Sequence, residues 1–600
     1  MTDSTLTLLI LAGVVVLFVV NRFPVELVAI GAALTLYATG VLTLPQAFAG
    51  FADPAVLLIA ALFIVSEGLD SSGVTTWVGQ SLVSRARSQR RLLLLTMLLA
   101  AGLTSLIGLN GSVAALLPMV VVMALRKAYP PSRLLMPLAF AGSAGGMLLL
   151  TGSPVNVVIS EAAADAGVGA FGFLEFALVG IPLVVGTIFI VLLFGDRLVP
   201  ERQSQTLPPD LSGLARTLVS SYSLDNVLHL RVNETSDLVG RLRIGWDLAG
   251  YQGIRIITVM DGETERPTSD GHLQAGDRLT VVGDVDVANR YAADHDLHVE
   301  AVRSAADIEQ SILSRESGAA EVVVPPRSEL VGARMQPSQI IDGALIVLAI
   351  TRNGQDLGAN PVRIEPGDTL LVEGPWSALG AAERTHDLLV VDSPELVRRQ
   401  AVPLGTGSGI AIVVLLIMVV LLATGAVPAA IAAMLAAGAM VLGRVLTMQQ
   451  AYRGINWTTV LLVAGMIPMA TAVTQSGAGQ QVATVIVDLV GDADPLILLL
   501  ALFIITVTFG QLISNTATAL VMIPIAVSAA DQLNISPQPV LMSLCVGAAV
   551  AFLTPVATPA NMMVMGPAGY RFGDYWRLGL PLVGLFGVVA ILLVPLIWSF

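Results

Sequence analysis

Apolar runs dominate both ends of the chain and fade in its middle. Stretches long enough to cross about 30 Å of hydrocarbon at roughly 1.5 Å per residue occur near 6–20, 25–41, 54–70, 133–163 and 176–195. A second set lies at 405–423, 427–443, 455–473, 539–568 and 580–598. Two more apolar stretches, 92–125 and 496–530, are broken midway by Gly, Asn, Ser or Thr and read as re-entrant hairpins. Between the two sets the period shortens to the alternation of β-strands, as in 254–260 and 345–351. The pattern predicts a polytopic α-helical membrane protein of two membrane blocks, 1–200 and 401–600, flanking a soluble α/β insert.

Composition sharpens that division. At 55% hydrophobic, 12% charged and a mean hydropathy of +0.80, the 600 residues cannot form one soluble domain. Of the 75 Asp, Glu, Lys and Arg residues, 16 lie in 1–195, 9 in 401–600 and 50 in 196–400. The net charge of −13 belongs almost entirely to the insert, whose 31 acidic and 19 basic residues exclude a basic nucleic-acid face. All five histidines (His229, His272, His295, His298, His386) are in the insert, and Cys545 is the sole cysteine. Intramembrane His or Cys metal sites and structural disulfides are thereby excluded, and no Ser–His or paired-carboxylate constellation in the blocks suggests an enzyme. No basic n-region or small-residue cleavage site marks the first 20 residues as a signal peptide.

Basic residues supply an orientation. With five crossings per block and 196–400 in the cytoplasm, both termini fall outside. Arg22, Arg85, Arg87, Arg90, Arg91, Arg126, Lys127, Arg133 and Arg197 then lie inside, as do Arg398, Arg399, Arg444, Arg453, Arg571 and Arg577. The outer loops keep Asp53, Glu161, Asp165, Asp488, Asp492, Asp494 and Asp531. An inner or plasma membrane location follows.

The blocks superpose as a duplication. AFAGFADPAVLLIAAL from Ala47 meets AYRGINWTTVLLVAGM from Ala451 at an offset of 404, and Pro154-Val155-Asn156 meets Pro559-Ala560-Asn561 at 405. FGFLEFALVGIP from Phe171 meets YRFGDYWRLGLP from Tyr570 at 399. An odd number of crossings per copy makes the copies antiparallel, the inverted-repeat layout of secondary transporters. The insert repeats too: Ser236-Asp237-Leu238-Val239-Gly240 and Ser328-Glu329-Leu330-Val331-Gly332 are 92 apart, and Gly276-Asp277 and Gly367-Asp368 are 91 apart. Two small modules, 213–300 and 301–392, are expected, with linkers near 202–212 and 383–400.

Helix breakers and small polar residues are costly in hydrocarbon unless they line a protected cavity, so their positions mark candidate sites. There are four, two per block. The hairpin tips contain Asn110, Gly111 and Ser112, and Ser514, Asn515 and Thr516. The broken spans contain Thr151, Gly152, Ser153, Pro154 and Asn156, and Ala557, Thr558, Pro559 and Asn561. Each break frees helix N-termini worth about half a positive charge, suited to an anion, and carbonyl and hydroxyl oxygens suited to a desolvated Na⁺. Proton relays need an intramembrane Asp, Glu or His, which the second block lacks before Asp488 and from 495 to 530. Na⁺ is therefore the expected coupling ion. Glu26, Glu67, Asp70, Glu175 and Asp574 sit at predicted span ends as anchors or caps, Glu67 being the one that folding could draw inward.

The segments ISNTATALVMIP and VATPANMMVMGPAGYRFGDYWRLG, with TGSPVNVVISEA in the first block, resemble the divalent-anion/sodium symporter family of the ion transporter superfamily. The resemblance covers both blocks. It implies a homodimer working as an elevator that imports a small divalent anion with Na⁺. It implies one Na⁺ between Asn110 and the loop carrying Thr151, Gly152, Ser153 and Asn156. A second is implied among Ser514, Asn515, Ala557, Thr558 and Asn561. The anion is implied to bridge the tips through Asn110, Gly111, Ser112, Ser514, Asn515, Thr516 and Thr558. At the first tip this chain departs from the family pattern, having Leu109-Asn110-Gly111-Ser112 where Ser-Asn-Thr or Asn-Asn-Thr is expected, with Ser112 as a replacement hydroxyl. The insert is similar to two tandem TrkA C-terminal (RCK-C) modules, which implies a small regulatory ligand on 213–392 and tilts the cargo toward sulfate. A dicarboxylate symporter, a Na⁺/H⁺ or metalloid-oxyanion antiporter, and a ligand-gated anion channel are the alternatives.

Overall fold

A computed structural model describes residues 2–20, 22–75, 77–78, 88–127, 129–202, 218, 221–222, 227–241, 250–251, 254–260, 262, 272–303, 317–337, 339–341, 344–358, 361–382, 388–392, 394, 397, 407–490 and 495–600. The chain divides into two compact units, one of residues 1–209 with 407–600, the other of residues 210–406. Most of the two expected linkers, and Arg85, Arg87, Arg398 and Arg399, lie outside the described residues.

The first unit contains both apolar blocks. Its first half comprises α1 (Asp3–Val20), α2 (Val25–Ala38), α3 (Leu44–Phe48), α4 (Pro54–Ser71), α5 (Gln89–Ile107), α6 (Leu109–Arg126), α7 (Ser132–Gly145), α8 (Pro154–Asp165) and α9 (Ala177–Leu198). Its second half comprises α10 (Ser408–Thr424), α11 (Ala429–Leu442), α12 (Met448–Gly454), α13 (Trp457–Gln475), α14 (Ala478–Val490), α15 (Pro495–Gly510), α16 (Asn515–Gln532), α17 (Pro537–Ala548), α18 (Pro559–Ala568) and α19 (Tyr575–Val588). Six helical segments among the described residues are long and apolar enough to cross a membrane: Asp3–Val20, Leu44–Ser71, Gln89–Ile107, Ala177–Leu198, Trp457–Gln475 and Phe572–Ile597. Their outer faces stay apolar. On α9 the exposed residues are Leu178, Ile181, Val185, Phe189 and Leu193, and on α10 Val413, Leu416, Ile417 and Val420. That spacing traces one helical stripe, the kind of surface that faces lipid or another protein rather than water.

The stretches expected as re-entrant hairpins are each a pair of consecutive helices, α5–α6 and α15–α16, of which α5 is itself long enough to cross a membrane, and the spans 133–163 and 539–568 are each broken, into α7 and α8 and into α17 and α18. Local chemistry explains the breaks. Gly108, at φ 80°, ends α5 in a conformation that only glycine adopts without strain, and α6 restarts one residue later. Ser514 caps α16 by accepting a hydrogen bond from the Ala517 N–H. Ser153 accepts from the Val155 N–H and Thr558 from the Asn561 N–H, each just before a proline whose fixed φ suits the first helical position.

Duplication extends to individual bonds. Capping boxes Thr43–Gln46 and Thr447–Gln450 open α3 and α12. The Asn156 amide donates to the carbonyls of Gly146 and Leu149 at 2.7 and 2.8 Å, and the Asn561 amide donates to those of Ala551 and Thr554 at 2.7 and 3.1 Å. Gly180 packs so closely that a Cβ there meets the Met147 carbonyl oxygen at 2.3 Å, and a Cβ at Gly579 meets that of Phe552 at the same distance. Short α3 and α12 and the amphipathic α14 go beyond the spans read from apolar runs. The region corresponding to α14 in the first half includes residues 79–87, outside the described residues.

The second unit carries strands β1 (Val227–Val232), β2 (Ile254–Met260), β3 (Arg278–Gly283), β4 (Leu297–Arg303), β5 (Ser317–Val323), β6 (Arg334–Met335), β7 (Ile340–Ile341), β8 (Leu345–Arg352), β9 (Gln355–Asp356), β10 (Val362–Arg363), β11 (Thr369–Pro375) and β12 (Leu389–Val390). The first four form an antiparallel sheet in the order β2-β3-β1-β4, and a second sheet runs β12-β5-β11-β8-β7. The repeat is again visible in bonds. The Gly240 N–H donates to the Leu273 carbonyl as the Gly332 N–H does to that of Ile364, and the Asp277 and Asp368 carboxylates accept from the Gln274 and Glu365 N–H groups. Arg352 adds a two-pronged ion pair to Asp368 at 2.7 and 2.9 Å. The Asp277 carboxylate instead accepts from the Gly262 N–H. Burial pushes the Asp368 carboxyl up, but the Arg352 hydrogen bonds, the Glu365 N–H and the Arg352 charge together outweigh it and hold the group below the usual carboxylate range.

Candidate functional site

The two hairpin tips and the two broken spans meet at one cavity of about 590 Å³. Asn110 and Gly111 reach it from the first tip, and Ser514, Asn515 and Thr516 from the second. Gly152, Ser153 and Asn156 reach it from the first break, and Ala557, Thr558 and Pro559 from the second. Helices α6, α8, α16 and α18 therefore begin at its wall, and their N-termini set a positive field without a basic side chain. Such a volume lies in the ordinary range of small-molecule sites.

Three sequence-predicted ligands are not brought to the cavity wall. The Ser112 hydroxyl is buried and bonds to the Thr104 hydroxyl at 2.5 Å and the Leu109 carbonyl at 3.0 Å, joining the two legs of its own hairpin. Thr151 donates to the Ser105 carbonyl at 2.8 Å and ties the first break to α5. Asn561 spends its amide on the two carbonyls of its break, and its own carbonyl accepts from Tyr575 Oη. Asn156 makes the equivalent clamp, accepts from Cys545 Sγ at 3.4 Å, and also lines the cavity.

At the second tip, Asn515 Oδ1 is buried and has no hydrogen-bond partner among the described residues. Ser143 Oγ, on the cavity wall from α7, is in the same position. Leaving a buried polar atom unpaired costs roughly 1–3 kcal/mol, and these two oxygens carry that cost at the cavity wall. An amide oxygen with nearby hydroxyls is a neutral donor set that fits Na⁺ and repels no anion.

Sequence reasoning missed Ser66, Ser143, Asn456, Thr458 and Thr459, which also line the cavity. Ser66 sits inside an unbroken helix and carries no helix-break signal, and Ser143 lies in the last turn of α7, ahead of the stretch from Thr151 to Asn156 that marks the break. Asn456 caps α13 through the Thr459 N–H, and an Asn just before an apolar run is a signal that could have found it. Glu67, expected as a span-end anchor with an inward option, lies on the cavity wall and is the one charged side chain there among the described residues.

Duplicated apolar halves, paired hairpins and one shared cavity at their breaks define a multi-pass membrane transporter. Residues 15–547 and 498–600 match the citrate transporter family CitMHS, and the chain belongs to that family. It is 32% identical to an uncharacterised transporter, YfbS, of Escherichia coli, over 98% of each chain. It is 28% identical to the uncharacterised transporter sll0640 of Synechocystis, over 99% of this chain and 97% of that one. A probable sodium/sulfate cotransporter 3 of Chlamydomonas reinhardtii is 24% identical over 59% of this chain and 40% of its own length.

Proposed function

We propose that the protein is a sodium-coupled symporter that imports a small divalent anion, sulfate first, through the cavity between the two tips. The observation that carries this reading is the meeting of four helix N-termini at a wall that also holds the buried, unpartnered Asn515 Oδ1. The N-termini attract the dianion, and amide, hydroxyl and carbonyl oxygens at the tips and breaks take Na⁺. Asn110, Gly111, Ser514, Asn515, Thr516 and Thr558 contact the anion. Gly152, Ser153, Asn156 and Ala557 supply or shape the ion sites, and Thr151 and Asn561 hold the breaks open from behind. The sodium/sulfate cotransporter among the relatives supports this cargo. The same reading has a homodimer moving its hairpin-bearing elements as an elevator, with 196–400 cytoplasmic, both termini outside, and TrkA-C-like modules that bind a small regulatory ligand.

A second cargo, a di- or tricarboxylate, is favoured by one observation: a cavity of about 590 Å³ exceeds what a single tetrahedral oxyanion fills. Uptake of labelled sulfate, thiosulfate, succinate and citrate into proteoliposomes, with and without an inward Na⁺ gradient, separates the readings. Gradient-driven sulfate accumulation is expected. Accumulation of citrate or succinate instead transfers the site to carboxylates, and flux indifferent to Na⁺ contradicts symport.

A further inference from the structure

The first tip is short of oxygen. At an offset of 405, Leu109-Asn110-Gly111 stands where the second half has Ser514-Asn515-Thr516, and Ser112 bonds inside its own hairpin. A hydroxyl without a counterpart stands instead on the helix beside it. The two asparagine clamps fix the same offset here, pairing Gly146 with Ala551 and Leu149 with Thr554. On that register Ser143, in the last turn of α7, is matched by Ala548.

Ser143 lies between the first tip and the first break. One residue before it, a Cβ on Gly142 meets Leu109 Cδ1 at 2.8 Å, so α7 packs against the tip. Three residues after it, a Cβ on Gly146 meets the Ser143 carbonyl oxygen at 3.3 Å and the Gly152 carbonyl oxygen at 3.4 Å. Ser143, Gly146 and Met147 follow one another at helical spacing, and all three line the cavity. Ser143 is only 7% exposed, yet its Oγ has no hydrogen-bond partner among the described residues. A hydroxyl inside a helix ordinarily donates to a carbonyl one turn earlier, as Ser105 does to Gly102 and Thr96 to Leu93 on α5.

The end of α7 adds backbone oxygen. The Met147 N–H donates to the Ala144 carbonyl and the Leu148 N–H to that of Gly145, a tightened turn that passes over the Ser143 carbonyl. A helix C-terminus also carries about half a negative charge, which draws a cation and repels an anion.

Resting on the sodium-coupled reading above, we propose that Ser143 is a Na⁺ ligand of the first-half site, its hydroxyl oxygen replacing those that Leu109 and Gly111 do not supply. Ser143 Oγ and the carbonyls of Ser143 and Gly152 are hard, neutral oxygens at the negative end of α7, the kind of donor that a desolvated alkali cation takes. Na⁺ gives the buried hydroxyl its missing partner, so the empty protein bears a cost that the ion removes.

The test combines ²²Na⁺ binding and thermal unfolding of the purified protein, both separate from transport. In Ser143→Ala one class of Na⁺ site is expected to weaken about tenfold and the Hill coefficient to fall toward one. The unfolding midpoint without Na⁺ holds or rises, because an unpaired buried hydroxyl is gone, while the gain in midpoint that Na⁺ gives the wild-type protein shrinks. Ser143→Cys keeps the shape but exchanges a hard oxygen for a soft sulfur, and it carries the same expectation where the alanine variant does not fold. Unchanged Na⁺ affinity, or a midpoint lowered equally with and without Na⁺, overturns the role of Ser143 and leaves symport standing. Sulfate binding that weakens at saturating Na⁺, with Na⁺ affinity intact, also overturns it and assigns the hydroxyl to the anion. Wild-type protein that binds no Na⁺ overturns the sodium-coupled reading itself.

Discussion

The two halves of the membrane unit agree at their breaks and differ at their tips. Asn156 and Asn561 make the same pair of bonds to carbonyls ten and seven residues upstream, and Gly180 and Gly579 admit the same close backbone approach. At the tips, one half offers two hydroxyls around its asparagine and the other offers leucine and glycine. Backbone architecture is therefore what the duplication preserved, because an interrupted helix in lipid must have its freed carbonyls satisfied in either copy. Side chains facing the cavity carry no such obligation, and they are where the copies diverged.

Alanine at the break asparagines is the strongest way to test the shared part. Asn156→Ala and Asn561→Ala each orphan one buried and one part-buried carbonyl and should cost roughly 1–4 kcal/mol of stability, with uptake lost alongside. Thermal unfolding in detergent checks this, and a loss confined to one half breaks the equivalence. Gly180→Ala and Gly579→Ala, which push a methyl against a carbonyl oxygen, should each cost about 1–3 kcal/mol in the same assay. Asn515→Ala sharpens the difference between tips. It removes an oxygen that has no hydrogen-bond partner among the described residues, so stability holds, while the apparent affinity for the transported anion falls about tenfold, or 1.4 kcal/mol.

A smaller effect separates the two sheets of the second unit. The Asp368 carboxyl is held below its ordinary range by Arg352, so its contribution to stability is present above the unfolded carboxylate range near pH 4 and is lost as pH falls through the lower folded value. Hydrogen exchange along β11 should accelerate in that acid window, and Arg352→Gln should shift its onset upward. The sheet of β1 to β4, where the equivalent Asp277 accepts from the Gly262 and Gln274 N–H groups, should not respond to Arg352→Gln.

Much of this was legible in the sequence because its causes are local. Helix breaks announce themselves where Gly108, Pro154, Ser514 and Pro559 meet apolar runs, and the constant offsets of 404 and 405 show the repeat before any coordinates. What was not legible depends on which way a helix faces. Ser112 and Thr151 bond to neighbouring backbone or hydroxyl groups, an arrangement that a one-dimensional polar pattern does not distinguish from a ligand. Glu67 falls near the end of an apolar run, where a charge ordinarily reaches for the interface. Only the packing of α4 beside the first tip and Gly454 turns it toward the cavity.

Equilibrium binding of labelled sulfate to the purified protein, titrated with and without Na⁺, tests the central claim most directly. The account predicts one saturable site per chain that appears only with Na⁺ and is lost in Ser514→Ala/Asn515→Ala while the fold is kept. Sulfate binding that ignores Na⁺, or that survives the double substitution, contradicts it.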